Sequence, residues 1–480
     1  MRRIAFIGLF ALSGCMVGPN YQKPKLAVPA GYKTAPGWVQ AQPADGAPKG
    51  QWWRNFQDPT LDQLEAQVAV NNAALAADFY AYQQAVALAQ EARGSLFPTL
   101  ALTGSATRSG QGGSSGGAGL SSGPKTSGTF EGQASWTPDI WGKIRRQVQS
   151  NVAAAQVSAA DLANATLSAQ ASLAQDYVYL RTADANIALL NQTIAAYQDS
   201  LRITQNKYNA GTVSQADVLT AQTELEGAQS SLISEQATRA QYEHAIALLT
   251  GHAPADLSIP DGKQIASVPV APPQVPSTLL QRRPDIAAAE RAMAEQNANI
   301  GVAVGAYYPD LSLSALGGFS ATPIGALFSA SNALWSLGAS ATGDLFEGGA
   351  RAQAVAAAKA GYLESVETYR QTVLSAFQAV ETDLSNLQIY TAQAQVQARA
   401  VADAQRAAQI ALNEYRAGTV DYTTVVTAQV TLLSDQQTAL SIQQSRLLAS
   451  IALYADLGGG FEAKDLPSAA TIQSGLPFAP

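Results

Sequence analysis

Apolar and small residues recur along much of the chain in steps of four and three. Val148, Val152, Ala155, Ala159, Leu162, Thr166, Ala169 and Leu173 form one such row. It continues through Leu180, Ala183, Ile187, Leu190, Ile194, Tyr197 and Leu201 to Tyr208, with Asp176 its one charged interruption. A period of 3.5 residues held for so long predicts coiled-coil packing rather than a globular amphipathic helix. About 65 residues rising ~1.5 Å each make a rod of roughly 100 Å. The rod ends at Gly211, since the residue closing a helix often needs positive φ. A second helix is expected to return from about Ser214 to Leu249, and Gly418 ends a matching rod later in the chain.

Two other stretches change period. Leu311, Leu313, Ala315, Gly317 and Phe319 alternate with Ser312, Ser314, Leu316 and Gly318, and Trp335, Leu337, Ala339 and Ala341 with Ser336, Gly338, Ser340 and Thr342. Earlier, Leu100, Leu102, Gly104 and Ala106 alternate with Ala101, Thr103, Ser105 and Thr107, and Phe130, Gly132, Ala134 and Trp136 form a partner run. Period two predicts strands, here near 99–137 and 310–343. Strands of ~9–11 residues suit a tilted membrane crossing, and Trp136 and Trp335 suit its interfacial girdles. The segments from Ser109 to Gly128 and from Ala321 to Asn332 read as flexible surface loops.

The two halves repeat one another. Tyr208-Asn209-Ala210-Gly211-Thr212-Val213 returns as Tyr415-Arg416-Ala417-Gly418-Thr419-Val420, an offset of 207 that also relates Thr220-Ala221-Gln222 to Thr427-Ala428-Gln429. Weaker echoes pair Leu96-Phe97-Pro98 with Tyr307-Tyr308-Pro309, and Asp139-Ile140-Trp141-Gly142 with Asp344-Leu345-Phe346-Glu347-Gly348. Each half therefore reads helix, strand pair, very long helix, turn, helix. The division expected is a signal at 1–14, an extended tether at 15–57, a first repeat at 58–253, a proline-rich connection at 254–284, a second repeat at 285–457 and a tail at 458–480.

Four strands cannot close a barrel, and an open sheet in lipid leaves backbone groups unpaired at several kcal/mol each. Copies of the chain must complete it, and three copies give twelve strands. The fold class is thus mainly α with a membrane β-barrel: a tandem-duplicated protomer whose three copies close a twelve-stranded sheet, while its rods, wanting neighbours on both sides, form a wall rather than a compact bundle.

The N-terminus places the chain. Arg2 and Arg3 precede an apolar run from Ile4 to Leu12, too short to span a bilayer, and then Ser13, Gly14 and Cys15. Leu12-Ser13-Gly14-Cys15 resembles a bacterial lipobox, so Cys15, the only cysteine, is the expected lipid attachment point. Met16, where retention in the inner membrane is associated with Asp, favours the outer membrane of a Gram-negative bacterium. A net charge of −7 with no basic stripe excludes a nucleic-acid partner. Histidine occurs only at 244 and 252, without metal-ligand spacing, and the Gly-rich run 110–119 does not open a helix, so neither metal chemistry nor a phosphate loop is expected. No cofactor is expected beyond lipid on Cys15.

The order of motifs resembles the outer membrane factors of tripartite efflux systems, the TolC/OprM-like proteins, and their lipoprotein branch in particular. The likeness rests on Cys15-Met16-Val17-Gly18-Pro19-Asn20-Tyr21, Trp52-Trp53-Arg54-Asn55-Phe56 with Asp58-Pro59, Arg282-Arg283-Pro284-Asp285-Ile286 and the paired Tyr-x-x-Gly-Thr turns. It implies a homotrimer whose twelve-stranded outer-membrane β-barrel continues into a long periplasmic α-helical barrel, an exit channel for small molecules that docks a periplasmic adaptor and an inner-membrane pump, the alternatives being a duct for secreted proteins or for metal ions. It also implies that helix tips close the pore. Tyr415 matches the family's tip tyrosine and Asp217 its acceptor on the neighbouring helix pair, a bond whose loss would make the channel leakier. Acidic rings of TolC-like members fall on Thr424 and Thr427, with Asp421 nearby, and adaptor contact falls on Gly211, Thr212, Val213, Gly418, Thr419 and Val420.

Overall fold

The computed structural model of the chain describes residues 16–24, 50–110, 124–269 and 282–474. Cys15, the Gly-rich run beyond Gly110 and much of the two proline-rich stretches lie outside these. The first repeat comprises α1 (Pro59–Asn71), α2 (Ala73–Gly94), β1 (Thr99–Ser109), β2 (Lys125–Trp136), α3 (Lys143–Asn209) and α4 (Gln215–Leu249). The second comprises α5 (Pro284–Gly305), β3 (Asp310–Ala321), β4 (Ala333–Thr342), α6 (Ala350–Ala417) and α7 (Tyr422–Asp456), and a short α8 (Ala469–Gln473) follows. At 67 and 68 residues, α3 and α6 are rods of roughly 100 Å. Along the row of α3, Val148, Val152, Ala155, Leu173, Leu180, Ala183, Leu190 and Tyr197 are buried.

The four strands form one antiparallel sheet in the order β1-β2-β3-β4, so the two hairpins meet at β2 and β3. Directly opposed residues point to the same side. The register joins Leu100, Ala134, Ala315 and Leu337 across the sheet, then Leu102, Gly132, Gly317 and Trp335, then Gly104, Phe130, Phe319 and Ala333. Through these rows and that of Ala106, Gly128 and Ala321 the face is apolar, and beyond them it ends in Arg108 opposite Thr126. The opposite face carries Thr103, Glu131, Gly318 and Leu334 in one row, and Ser105, Thr129 and Ser320 in the next. Leu100, Leu102, Trp335 and Leu337 stand exposed on the protomer, and among the described residues β1 and β4 have no strand beyond them.

Several expectations change. β2 begins at Lys125, inside the segment read as a loop. The Ala321–Asn332 connection is not featureless: it holds two 3-10 turns, and Phe328 lies edge-on to both Phe130 and Phe319. The tether also ends sooner than its composition suggests, because Trp52–Phe56 is a 3-10 turn with Trp52, Trp53 and Phe56 in the core. Trp52 stacks on Tyr454 at 5.9 Å. The Asp139/Asp344 echo slips by two residues: Thr99 opposes Ser135 as Asp310 opposes Thr342, and Gly142 caps α3 as Gly349 caps α6, so the offset of 207 already holds there.

The motif residues act as clamps. Arg146 donates at 3.0 Å to the carbonyls of Val17 and Gly18 and to Asn20 Oδ1, fixing the N-terminal strand across α3 and α5. Gly18 sits at φ +89°, where a Cβ would come within 2.5 Å of Gly301 Cα. Asp58 caps α1 and also accepts from the Tyr177 hydroxyl at 2.9 Å. Arg283 binds Asp285 through two nitrogens and Asp456 through a third contact, tying the start of α5 to the end of α7.

Candidate functional site at the helix tips

Both hairpins turn in the same way. Thr212 N–H donates to Lys207 O and Gly211 N–H to Tyr208 O, each at 2.9 Å, while Thr419 donates to Glu414 O and Gly418 to Tyr415 O at 3.0 and 3.1 Å. These are paired Schellman closures, with the glycines at φ +74° and +80°. Each threonine hydroxyl donates to the same carbonyl as its own N–H, at 2.9 and 3.0 Å. The Gly-Thr pair is therefore a stop signal with a physical cause. Ser214 then caps α4 in a capping box with Asp217, whereas Asp421 caps α7 without a side-chain bond.

The resemblance-derived pair Tyr415 and Asp217 is not bonded within the protomer. Asp217 Oδ2 accepts from Ser214 N–H at 3.0 Å and from its hydroxyl at 2.9 Å, so its carboxylate serves its own helix. The Tyr415 hydroxyl instead donates to Thr204 Oγ1 on α3 at 3.2 Å. Lys207 Nζ lies 4.2 Å from the Tyr415 ring centre and bonds the Tyr415 carbonyl. Tyr422 packs on the same ring at 5.3 Å, and Ala221, Val425, Leu201 and Val213 complete a small core. Burial raises the Tyr415 and Tyr422 hydroxyl pKa above the ordinary phenol value. Thr424, Thr427 and Asp421 are exposed.

Two more ties cross the same joint. Gln429 Nε2 donates to Ser200 Oγ at 3.1 Å, and Arg416 pairs with Asp199 at 3.1 Å. The residues involved were not legible as a set, because Ser200, Thr204 and Lys207 become neighbours of α6 and α7 only when the repeats pack. Higher up, Arg181, Asp184 and Arg239 form a second polar cluster that no motif announces. Arg181 donates to the Tyr177 hydroxyl, Asp184 Oδ2 and Pro260 O at 2.8–2.9 Å, and Arg239 holds Asp184 Oδ1 at 2.7 Å. It anchors residues 259–262, on the connection between the repeats, to α3 and α4. His252 Nε2 meets only Gln67 Oε1, at 2.9 Å, and His244 is exposed.

A sheet with one lipid-compatible face, carried on two helical hairpins with small tip turns, defines the protomer of an outer-membrane channel. The chain belongs to the outer membrane efflux protein family, whose model matches residues 64–252 and 275–459. It is 32% identical over 465 residues to the toluene efflux pump outer membrane protein TtgC of Pseudomonas putida, covering 94% of each chain. It is 28% identical over 469 residues to the cation efflux system protein CusC of Escherichia coli, covering 96% of this chain and 98% of that one. The outer-membrane channel OprN superposes with a TM-score of 0.84 at 28% identity, over 93% of this chain and 99% of its own.

Proposed function

We propose that three copies assemble into a lipid-anchored duct that carries toxic small organic molecules out of the cell, receiving them from an inner-membrane pump through a periplasmic adaptor. The observation that carries the reading is the pair of free edges, β1 and β4, on a sheet whose one face is apolar from the row of Leu100 to that of Ala106. Only further strands can satisfy those edges in lipid. A second copy supplies them, and closure leaves a lumen lined by the polar face. Such a duct moves cargo without bond chemistry. The toluene pump relative, more similar to this chain than the cation relative, supports organic cargo. The turns Gly211–Val213 and Gly418–Val420, whose glycines and threonines are exposed while the valines pack on the small core beneath, are the proposed adaptor contacts.

The lipid anchor is supported from the body of the protein. Val17 N–H donates to Trp141 O at 3.1 Å, and Met16 covers Gly142, directly below the strands. Trp141 stacks on Tyr308 at 4.7 Å at the same level, as a membrane-interface belt would. Met16 and Val17 thus lie at the level where a lipid on Cys15 would meet the inner leaflet. Radiolabelled palmitate is expected to enter the wild-type chain and not a Cys15→Ala variant; label in both would reject the anchor.

The duplication sets the joint between copies. Moving the pairing of β2 with β3 on by one repeat lays β4 against β1 of the neighbouring copy, with Ala339 opposite Ala106 and Ala341 opposite Gly104. This register keeps both faces in phase. Opposed residues lie ~4.5–5.5 Å apart at Cα, within disulfide reach. A chain with Ala339→Cys and Ala106→Cys is expected to oxidise to a covalent trimer that survives boiling, and one with Leu337→Cys and Ala106→Cys far less. Equal yields would reject the register, and a monomer before oxidation would reject the trimer. Cargo is tested by deleting the protein and profiling sensitivity to solvents, antibiotics and metals. Sensitisation to metals alone would overturn organic cargo.

A further inference from the structure

We propose that the connection between β3 and β4 is a lipid-side anchor, which folds back over the outer face of the barrel and seats Ile324, Leu327 and Phe328 among acyl chains of the outer leaflet. The proposal rests on the barrel reading above and adds a second membrane contact, at the end of the strands away from the helices. Three contacts fix the direction of the fold. Phe328 lies edge-on to Phe130 at 5.7 Å and to Phe319 at 5.6 Å, and those two residues oppose one another on the apolar face. Ile324 and Leu327 cover Gly128 on the same face, where a Cβ would come within 2.7 Å of Ile324 Cγ1. Ala321, opposite Gly128, is left only 7% exposed. The connection is therefore drawn away from the lumen.

Its composition and its level say what it meets. No charged residue occurs from Leu311 to Gly343. The N–H groups of Ala326, Leu327, Ser329 and Asn332 donate within the turn at 3.0–3.1 Å, and Asn332 Nδ2 and Ser329 Oγ both donate to the Ala326 carbonyl, at 2.7 and 2.8 Å. A segment that pairs these polar groups internally enters the edge of the hydrocarbon at little cost. Its outer surface is nevertheless apolar and open: Ile324 is 38% and Phe328 68% exposed. The residues beneath it belong to β2 and β3, the central strands of the sheet, so a neighbouring copy joined along β1 and β4 does not cover it. One row beyond Gly128 the same face carries Arg108, and a charge is tolerated on a lipid-facing surface where the headgroups begin. Ile324, Leu327 and Phe328 thus lie just beneath the headgroups, continuous with the rows of Trp335 and Leu337 that face the bilayer core.

Phe328→Cys, Leu337→Cys and Thr103→Cys are each labelled with a nitroxide in the full-length trimer, with the unsubstituted chain as the blank, and placed in vesicles of phosphatidylethanolamine and phosphatidylglycerol. Collisions with oxygen, which concentrates in hydrocarbon, are compared with collisions with a water-soluble nickel chelate. The label at Phe328 is expected to favour oxygen as that at Leu337 does, at a depth of roughly 5–10 Å, while the label at Thr103 favours nickel. A label at Phe328 that favours nickel, or one shielded from both probes as beneath another protein or a second copy, overturns the anchor. Labels at Leu337 and Thr103 that behave alike reject the barrel reading instead. The unmodified trimer supplies a second measurement, in vesicles holding a phosphatidylglycerol with a diazirine in its acyl chain. Adducts are expected on residues 324–328; adducts on the strands with none on this segment overturn the proposal.

Discussion

An Arg181→Ala protomer is expected to lose about 3–5 kcal/mol, the range for removing one partner of a buried ion pair. The guanidinium satisfies Tyr177, Asp184 and the carbonyl of Pro260, and its side chain and that of Asp184 are only 6% and 2% exposed. Without it, Asp184 keeps Arg239 and the Gly262 N–H, but the Pro260 carbonyl and the fully buried Tyr177 hydroxyl lose a donor. The connection between the repeats loses one of its ties to α3 and keeps the Gly262 tie there and the Arg239 tie to α4. A Gly262 Cβ would come within 2.4 Å of the same guanidinium, so the fit there is close. The check is the temperature at which the unboiled assembly dissociates in detergent. Arg416→Ala, which breaks a pair with side chains 46% and 39% exposed, serves as the contrast at about 1 kcal/mol or less. Equal melting of the two variants would show that the cluster carries no special weight.

Asp383→Asn is expected to raise stability at alkaline pH, the reverse of what removing a buried charge partner usually does. Asp383 lies on α6 with 8% of its surface exposed, and its Oδ2 has no hydrogen-bond partner among the described residues. Burial, followed by the neighbouring carboxylate of Asp456 at the end of α7, pushes its pKa up to about 8 against an ordinary 3.8. Arg283 acts in the opposite sense but is already held by Asp456 and Asp285. The folded state thus binds a proton that the unfolded chain releases near pH 4. Stability is fully present below that value, falls as pH rises toward 8, and levels off above it. Asparagine removes this slope and is worth on the order of 2–4 kcal/mol above pH 8, allowing for local relaxation. Melting curves from pH 5 to 9 would decide it: a parallel slope in both proteins excludes Asp383 as its source. Glu65, both of whose oxygens lack a partner among the described residues and whose pKa is pushed up to about 9 by burial and Asp62, contributes a further slope of the same sign in both proteins.

The repeat connects this site to the pattern along the chain. Asp176, the charged interruption in the row of α3, stands 207 residues before Asp383, and burial pushes its pKa up to about 6. The position is therefore a property of the duplicated helix. The paired carboxylate is a property of the second repeat alone, because α7 ends in Asp456 where α4 ends in Leu249.

What could be read from the chain by itself is what depends on near neighbours. A 3.5-residue row marks a rod, an alternating row marks a strand with one face for lipid, and Gly-Thr marks the stop of each rod because its bonds reach back only five residues. The duplication was equally plain, since it is a comparison of the chain with itself. Tertiary structure alone decided which copy of an identical motif does what. Tyr415 and Tyr208 close the same turn, yet one is buried against Thr204 and the other faces outward, because the first has a helix pair beside it and the second awaits one. The bonds of Arg181 and Arg239 to the 259–262 connection follow from which surfaces meet. Local periodicity sets which face of an element is apolar; it carries no information about which polar side chain will lie across from it.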